Sequence, residues 1–522
     1  MAGIRLSSCS TRTIAALLGV SSVLVASWKL CRRGAKRKRL PPGPPRTPFL
    51  GHLFRVPREL PWVKYHDMCR ELGSDVVALE VLGTTIIVLD SAEAVNELLE
   101  RRSHIYSSRP HLPMICDLMG WEFNIGLMPY GERSLVWRMH RKMFHQSFQS
   151  SAVTSFHPQE VKAARQLVQN LYQRPEDFTT HFRLMAGYVV LSAAYGIEPL
   201  GEDDPYIKIS EEAIHYLVEA AVPGAFLVDI IPAMRYIPKW MPFAHFQRFA
   251  ETSRNHIEKM RQSPYEEAKS SSGMSSSFVQ KRLKEMDHTG DTEAYEEVVM
   301  NTASAMFVGG FDTIIAAMSA LLFAMMTHPE AQRRAQAEID SVISSGLPTF
   351  EDRKSLPYIT AIVKEVLRWK PVTPMAAAHV LEVDDEYRGH FLPAGSLVIG
   401  NAWAILSNEA TYPDPFSFRP DRFLAGKDGS MNPCPDPDFA FGFGRRVCPG
   451  RLMALGVLWI SIASILTVYD ISKGVDKHGH DIQPVYEPGP SSLVFMPLPF
   501  TCTIKPRNAK AELVCARLED WS

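Results

Sequence analysis

The chain has 522 residues, 46% of them hydrophobic and 22% charged, with a formal net charge of −1. That length holds one large domain or two to three smaller ones, and the near-neutral balance gives nothing that points to nucleic acid. The eight cysteines (Cys9, Cys31, Cys69, Cys116, Cys434, Cys448, Cys502 and Cys515) are scattered without a Cys-x-x-Cys, which argues against a disulfide scaffold and suits a reducing compartment.

In chain order, Thr13 to Trp28 is uncharged and mostly apolar, lies between Arg12 and Lys29, and can extend into Leu30 and Cys31. Flanking basic side chains that snorkel make a run of this length able to span a bilayer, so a transmembrane helix is expected over about 13–30. Arg32, Arg33, Lys36, Arg37, Lys38 and Arg39 follow it, against Arg5 and Arg12 before it, which places the remainder on the cytosolic side. The basic block lies on the wrong side for a cleaved signal peptide, and no Ala-x-Ala site is evident. A signal anchor over 1–40 is therefore expected, then a main domain over 41–510 and a tail over 511–522. Pro41, Pro42, Gly43, Pro44 and Pro45 would form a stiff connection between anchor and domain.

Val76 to Leu89, turned at Gly83, reads as a strand hairpin. His111 to Tyr130 has no clean period and reads as a loop packed over something. Trp137 and Arg141 stand four apart in a helical stretch and share one face. Residues 150–262 read as helices, broken from Val222 to Pro242, where Phe226, Leu227, Ile230, Ile231, Tyr236, Ile237, Trp240 and Met241 sit among prolines. That connector suits either a core or a loop dipping into lipid. Ser270 to Ser277 reads as a flexible surface loop.

Ala303 to Met326 is apolar over 24 residues with Asp312 as its one charge. The Gly309-Gly310 pair costs a helix about 1–2 kcal/mol. With no basic flank, the run reads as a helix buried in a large core and approached closely at its backbone. Glu365 and Arg368 lie three apart on one helical face within Ala361 to Lys370. Val380 to Val398 reads as strands and a turn, and Val485 to Pro506 as Pro-rich chain with short strand-like pieces.

The stretch Phe441 to Gly450 centres on Cys448 and leads into the apolar helical run Leu452 to Leu466. A thiol at a helix mouth is favoured as thiolate by the dipole and the unpaired N–H groups there. Such a group is a metal ligand, a nucleophile or simply a buried cap. Gly444 and Gly450 would let the backbone approach something planar, and Arg446 could neutralise a carboxylate on it, a description that haem fits.

Phe441, Gly444, Arg446, Cys448 and Gly450 occupy the fixed positions of Phe-x-x-Gly-x-Arg-x-Cys-x-Gly, and here the chain resembles the cytochrome P-450 family, most closely its membrane-bound members from mushroom-type fungi that act in secondary metabolism. The resemblance covers about residues 41–507. It implies a mainly α fold with a small β portion, preceded by the N-terminal transmembrane helix, with haem b between the Gly309-containing helix and the helix after Cys448. Cys448 would be the axial ligand of the iron. Trp137, Arg141 and His379 would meet the haem propionates. Gly309, Gly310, Phe311, Asp312 and Thr313 resemble the oxygen-activation motif, so Thr313 and Asp312 would deliver protons to dioxygen; Ile314 departs from the motif by lacking a hydroxyl. Glu365, Arg368 and Arg422 would form a structural ion-pair network holding the cysteine loop. Ser134, Leu135 and Val136 form a second departure, an insertion ahead of Trp137.

By the same resemblance, residues 111–130 cover the substrate, and Trp121, Phe307, Val372, Thr373, Met375, Leu493 and Val494 are candidates to touch it. The implied activity is insertion of one oxygen atom from O2 into a lipophilic, terpenoid-like molecule by a monomeric enzyme of the endoplasmic reticulum membrane. No Gly-x-Gly-x-x-Gly follows a strand, so electrons would come from NADPH through a separate NADPH–cytochrome P-450 reductase, docked near Arg133, Arg138, Lys142 and Arg445. Two other functions are compatible with a haem-thiolate site: an O2-independent isomerase or dehydratase, and a non-enzymatic haem-binding sensor.

Overall fold

The computed structural model describes residues 39–48, 50–131, 134–222, 224–271, 277–286, 292–426, 434–487 and 494–518. The expected anchor at 13–30, most of the 270–277 loop, Arg133 and Leu493 lie outside the described residues.

The longer helices are α1 (Pro61–Leu72), α2 (Leu135–Phe148), α3 (His157–Gln173), α4 (Phe178–Ala194), α5 (Pro205–Ala220), α6 (His245–Ser270), α7 (Phe278–Met286), α8 (Thr292–Thr327), α9 (Pro329–Val342), α10 (Pro357–Trp369), α11 (Arg451–Val468) and α12 (Ala509–Leu518). The hairpin falls where the run turned at Gly83 places it, as β1 (Val76–Val81) and β2 (Thr84–Leu89), antiparallel with Val81 opposite Thr84. β2 runs parallel to β6 (Leu397–Gly400), which pairs antiparallel with β3 (His379–Val380), completing a four-stranded sheet. Two-stranded ribbons are formed by β4 (Asp385–Tyr387) with β5 (His390–Leu392), and by β7 (Tyr469–Lys473) with β8 (Cys502–Pro506).

The main core is built on α8 and α11, which are apolar on all sides and so must be surrounded. Both are long and apolar enough to cross a membrane, yet 72% of each apolar window is buried within the protein. The glycine pair of α8 divides its work. A Cβ on Gly310 would stand 2.8 Å from Val190 Cγ2 of α4, so this glycine admits a neighbouring helix, whereas nothing lies within 4 Å of the corresponding point at Gly309. The close approach to the backbone expected at this pair comes, at Gly310, from helix packing.

Residues 511–518 are not a separate tail. They form most of α12, whose Ala511 and Cys515 are buried in the main core. The Ser134–Val136 insertion opens α2: Leu135 and Val136 are 67% and 48% exposed, while Trp137 stays buried. A second apolar cluster joins Met114, Trp121 and Phe123 to α5, α6 and the connector at Val228. This cluster lies apart from the main core, with Val308 of α8 packed against both.

Candidate functional site

A cavity opens between α8 and the cysteine loop, lined on one side by Gly309, Gly310 and Thr313 and on the other by Phe441, Arg446, Cys448 and Gly450. The loop is closed by the Cys448 N–H donating to Phe441 O at 2.8 Å. Gly442 and Gly444 have positive φ values of 84° and 53°, a region that side-chain-bearing residues avoid. A Cβ on Gly444 would lie 2.0 Å from Leu99 O, so this glycine serves the packing of the loop onto the chain beneath it. Gly450 has nothing within 4 Å of its Cβ position and borders the cavity. Of the two glycines expected to admit a planar group, only Gly450 is open to one.

Burial pushes the Cys448 thiol up, opposed by the Gly450 N–H and by the charges of Arg141 and Arg451. A cation coordinated to it would make it a thiolate, because metal ligation deprotonates a thiol outright.

Arg446 and Arg109 line the cavity and Arg141 lies behind the cysteine loop; none of the three lies within ion-pair distance of a carboxylate among the described residues. Arg446 donates to Ser107 O (2.7 Å), Ile125 O (3.0 Å) and Met128 O (2.6 Å) and lies 4.8 Å over the Trp137 ring. Arg109 donates to Ala377 O (2.6 Å), Ala378 O (2.7 Å) and Gly126 O (3.1 Å). Arg141, one turn beyond Trp137 on α2, donates to Val447 O at 2.8 Å. Burial, with the neighbouring Arg109 and Arg141, pushes Arg446 down to about 9, and burial pushes Arg109 down to about 10.

His379 of β3 lines the same region, bonded through Nδ1 to Tyr106 O at 2.6 Å; burial and then Arg109 hold it well below the usual imidazole range. The buried Trp137 Nε1 has no partner among the described residues. Two cations on the wall, with Arg141 and the Trp137 N–H behind Arg446, call for a ligand with carboxylates. A thiol opposite an open apolar helix face calls for a metal. The donor set fits an iron porphyrin with two propionates. Arg109 was absent from the sequence expectation, since it sits in an irregular Ser-Ser-Arg-Pro stretch whose partners Ala377 and Ala378 are remote in sequence.

Thr313 borders the cavity, its hydroxyl donating to Gly309 O at 2.9 Å. Asp312, one residue earlier on the helix, faces away towards Arg183 and Glu211. Burial pushes its carboxyl up, with Arg183 opposing and Glu211 adding. Ile314 is buried against the cavity.

Away from the cavity, Glu365 receives Arg368 at 2.7 and 2.8 Å, Arg422 Nε at 3.1 Å and the Arg419 N–H at 2.8 Å. Arg368 also donates to Leu406 O at 3.0 Å. This buried network ties α10 to the chain between Leu406 and Phe423, on which Phe439 and Ala440, the start of the cysteine loop, pack.

Of the seven substrate-contact candidates, the structure places Val372 and Thr373 on the cavity wall. Trp121 is fully buried, stacked on Phe123 at 5.6 Å in the second cluster. Phe307 stacks on Phe311 at 5.8 Å in the core; the cavity face of α8 runs through Met306, Gly310, Thr313 and Ala317, so the helical period turns Phe307 away. Met375 packs against the β1–β2 cluster, and Val494 packs on the main core beside Phe495, whose N–H donates to Val372 O. The walls that sequence reasoning missed come from Phe144 and Phe148 of α2 and Val189 and Val190 of α4. Each looks like any other core position in its helix.

The sequence matches the family model described as Cytochrome P450 over residues 41–502. It is 42% identical to Cytochrome P450 monooxygenase 98 of Postia placenta over 511 residues, covering 97% of each chain. It is 39% identical to Cytochrome P450 monooxygenase ple1 of Rhodocybe pseudopiperita, again covering 97% of each. Against Tryptamine 4-monooxygenase of Psilocybe cyanescens it is 41% identical, covering 91% of this chain and 94% of that one. With a thiol, an open helix face and an arginine cluster meeting at one cavity inside the matched region, the chain belongs to the cytochrome P450 family of monooxygenases.

Proposed function

We infer that this monooxygenase holds haem b through Cys448 and inserts one oxygen atom from O2 into a small lipophilic molecule of fungal secondary metabolism, drawing electrons from NADPH through a separate reductase. The observation that carries this reading is the meeting of Cys448, Arg109, Arg446 and Thr313 around one largely apolar cavity. When bound, a haem with a thiolate ligand supplies dioxygen binding and O–O cleavage.

The residues of the chain supply the rest. Cys448 would anchor the iron, while Arg109, Arg446 and, behind them, Arg141 and Trp137 would receive the carboxylates. Thr313 Oγ1 holds a proton at the cavity wall. Asp312, kept protonated to higher pH than an ordinary aspartate, stores the next proton behind it. Glu365, Arg368 and Arg422 brace the chain leading into the cysteine loop. Phe144, Phe148, Val189 and Val190 exclude water and orient an apolar substrate.

Attachment to the endoplasmic reticulum membrane is part of the same reading. It rests on the basic block after the 13–30 segment and on the connector, where Leu227, Ile231, Tyr236, Trp240 and Phe243 are 58, 50, 75, 81 and 87% exposed. Side chains of this kind, gathered in one segment, suit the lipid interface. The test is expression with a fungal reductase in yeast microsomes. A band near 450 nm in the reduced, CO-bound spectrum and products carrying oxygen from labelled O2 are expected. A 450 nm band without NADPH-dependent oxygen incorporation across a broad panel would favour the O2-independent isomerase or the sensor.

A further inference from the structure

Glu160 of α3 is a buried carboxyl that lies outside the cavity. Neither of its oxygens has a hydrogen-bond partner among the described residues. It rests against α11 at Gly456, where a Cβ would approach Oε2 to 2.6 Å. Trp459, one turn further on that face of α11, is fully buried with its Nε1–H equally unpartnered. Ala454 and Leu458 of α11 line the cavity, and residues two apart on a helix project to opposite sides. The carboxyl and the cavity are therefore separated by the thickness of one helix, on the order of 10 Å.

Arg353, from the segment Phe350–Ser355, lies 5.8 Å over the Trp459 ring and is the charge that acts on Glu160, without an ion pair between them among the described residues. His157, at the start of α3, stacks on Phe350 at 3.7 Å, and burial and then Arg353 hold it below the usual imidazole range. α11 bears no charged side chain beyond Arg451 at its start. From α4, Tyr188 donates to Glu198, which also pairs with Lys162 of α3, and His181 is bonded to Arg174 O past the far end of α3. Glu176 and Asp177 follow that far end. α12, which brings Lys510, Glu512 and Arg517, reaches α3 two turns on, where Tyr469 links Cys515 to Val168 O, and β8 brings Lys505. Burial pushes the Glu160 carboxyl up to about 8, with Arg353 opposing. A buried carboxyl without a partner thus changes charge near neutral pH. Unit charges about 12 Å apart, at an effective dielectric of about 20, shift an equilibrium roughly ten-fold.

We propose that Glu160 couples proton uptake to the arrival of an electron at the haem: ferric haem takes one electron from the flavoprotein reductase while the Glu160 carboxylate takes one proton from solvent, and no other bond changes. The coupling rests on the reading of Cys448 as the ligand of a haem in this cavity. A negative charge behind α11 favours the ferric state, and the neutral carboxyl removes that preference. Reduction raises the proton affinity of Glu160 by the same factor by which the proton favours reduction. The reduction potential therefore falls as pH rises through the range in which Glu160 ionises.

The full-length holoenzyme in nanodiscs, titrated against redox dyes from pH 6 to pH 10, tests this. At a fixed potential the ratio of ferrous to ferric haem is expected to fall about three- to ten-fold across the range, about 30–60 mV by the one-electron constant. Glu160→Gln, which keeps the shape and removes the charge, is expected to lose that fall and to hold the acid value. Arg353→Gln moves the transition to higher pH, because the charge that opposes burial is gone. A ferrous-minus-ferric infrared difference spectrum of the wild type is expected to gain the C=O band of a protonated carboxyl, shifted in heavy water and missing from Glu160→Gln, a readout that needs no turnover. One pH profile shared by wild type and Glu160→Gln, or a difference spectrum that the substitution leaves unchanged, overturns the coupling. Where Glu160→Gln loads no haem, Arg353→Gln decides, since a transition left at the wild-type pH overturns it equally. The reduced CO-bound spectrum of the same samples reads the haem assignment separately.

Discussion

Val190 Cγ2 lies 2.8 Å from the point where Gly310 would carry a Cβ, so the two helices that wall the cavity touch through the absence of a side chain. Gly310→Ala forces α4 and α8 apart or drives Val190, stiff at χ1, off its rotamer, at a cost of about 1–3 kcal/mol. Gly309→Ala meets no neighbour and projects its methyl group into open space beside Thr313. Thermal melts are expected to separate the two, with a drop of several degrees only for Gly310→Ala. Gly309→Ala instead changes which products form, read by mass spectrometry.

Arg109 shares the cavity lining with Arg446 and with no carboxylate among the described residues, so its charge is unfavourable until an anionic ligand arrives. Arg109→Leu is expected to weaken haem retention by about ten- to one-hundred-fold, the worth of a charge-assisted hydrogen bond. The rate of haem transfer to an excess of a haem-scavenging apoprotein measures this. A variant that holds haem as the wild type does would leave Arg109 a structural clamp on Ala377 and Ala378.

Glu365 compensates two buried cations at once. Glu365→Gln leaves Arg368 and Arg422 without a counter-charge, at a cost of about 3–5 kcal/mol. A much lower yield of folded protein and a lowered urea midpoint are expected. Arg422→Lys, which keeps the charge but loses the fork geometry, costs less.

Glu160 of α3 is buried against α11, where a Cβ on Gly456 would approach its Oε2 to 2.6 Å. Burial pushes its carboxyl up to about 8, with Arg353 opposing. A carboxyl raised on folding binds its proton more tightly in the native state, so its penalty is absent below the unfolded value near 4.5. Stability is then lost as pH climbs towards 8. Glu160→Gln is expected to melt higher than the wild type at pH 8, by about 1–3 kcal/mol of stability, and to match it at pH 4.5. Parallel melting curves at both values would remove Glu160 as the cause.

The sequence by itself determined the parts whose signal is local. These are the hairpin at Val76–Leu89, the Pro-broken connector, the buried identity of α8 and the loop around Cys448, because periodicity, glycine spacing and motif order lie along the chain. Tertiary structure decided what depends on chain segments meeting. Leu99 O under Gly444 and Val190 against Gly310 turn two glycines from ligand seats into packing sites. Burial opposes ionisation at Cys448, against the Gly450 N–H and the charges of Arg141 and Arg451. Arg109 becomes a site residue because the carbonyls of Ala377 and Ala378 lie hundreds of residues away in sequence. Trp121 and Phe307 leave the cavity for the same reason that Phe144 and Val190 enter it: an apolar side chain records that it is buried, and only the packing of its helix records against what.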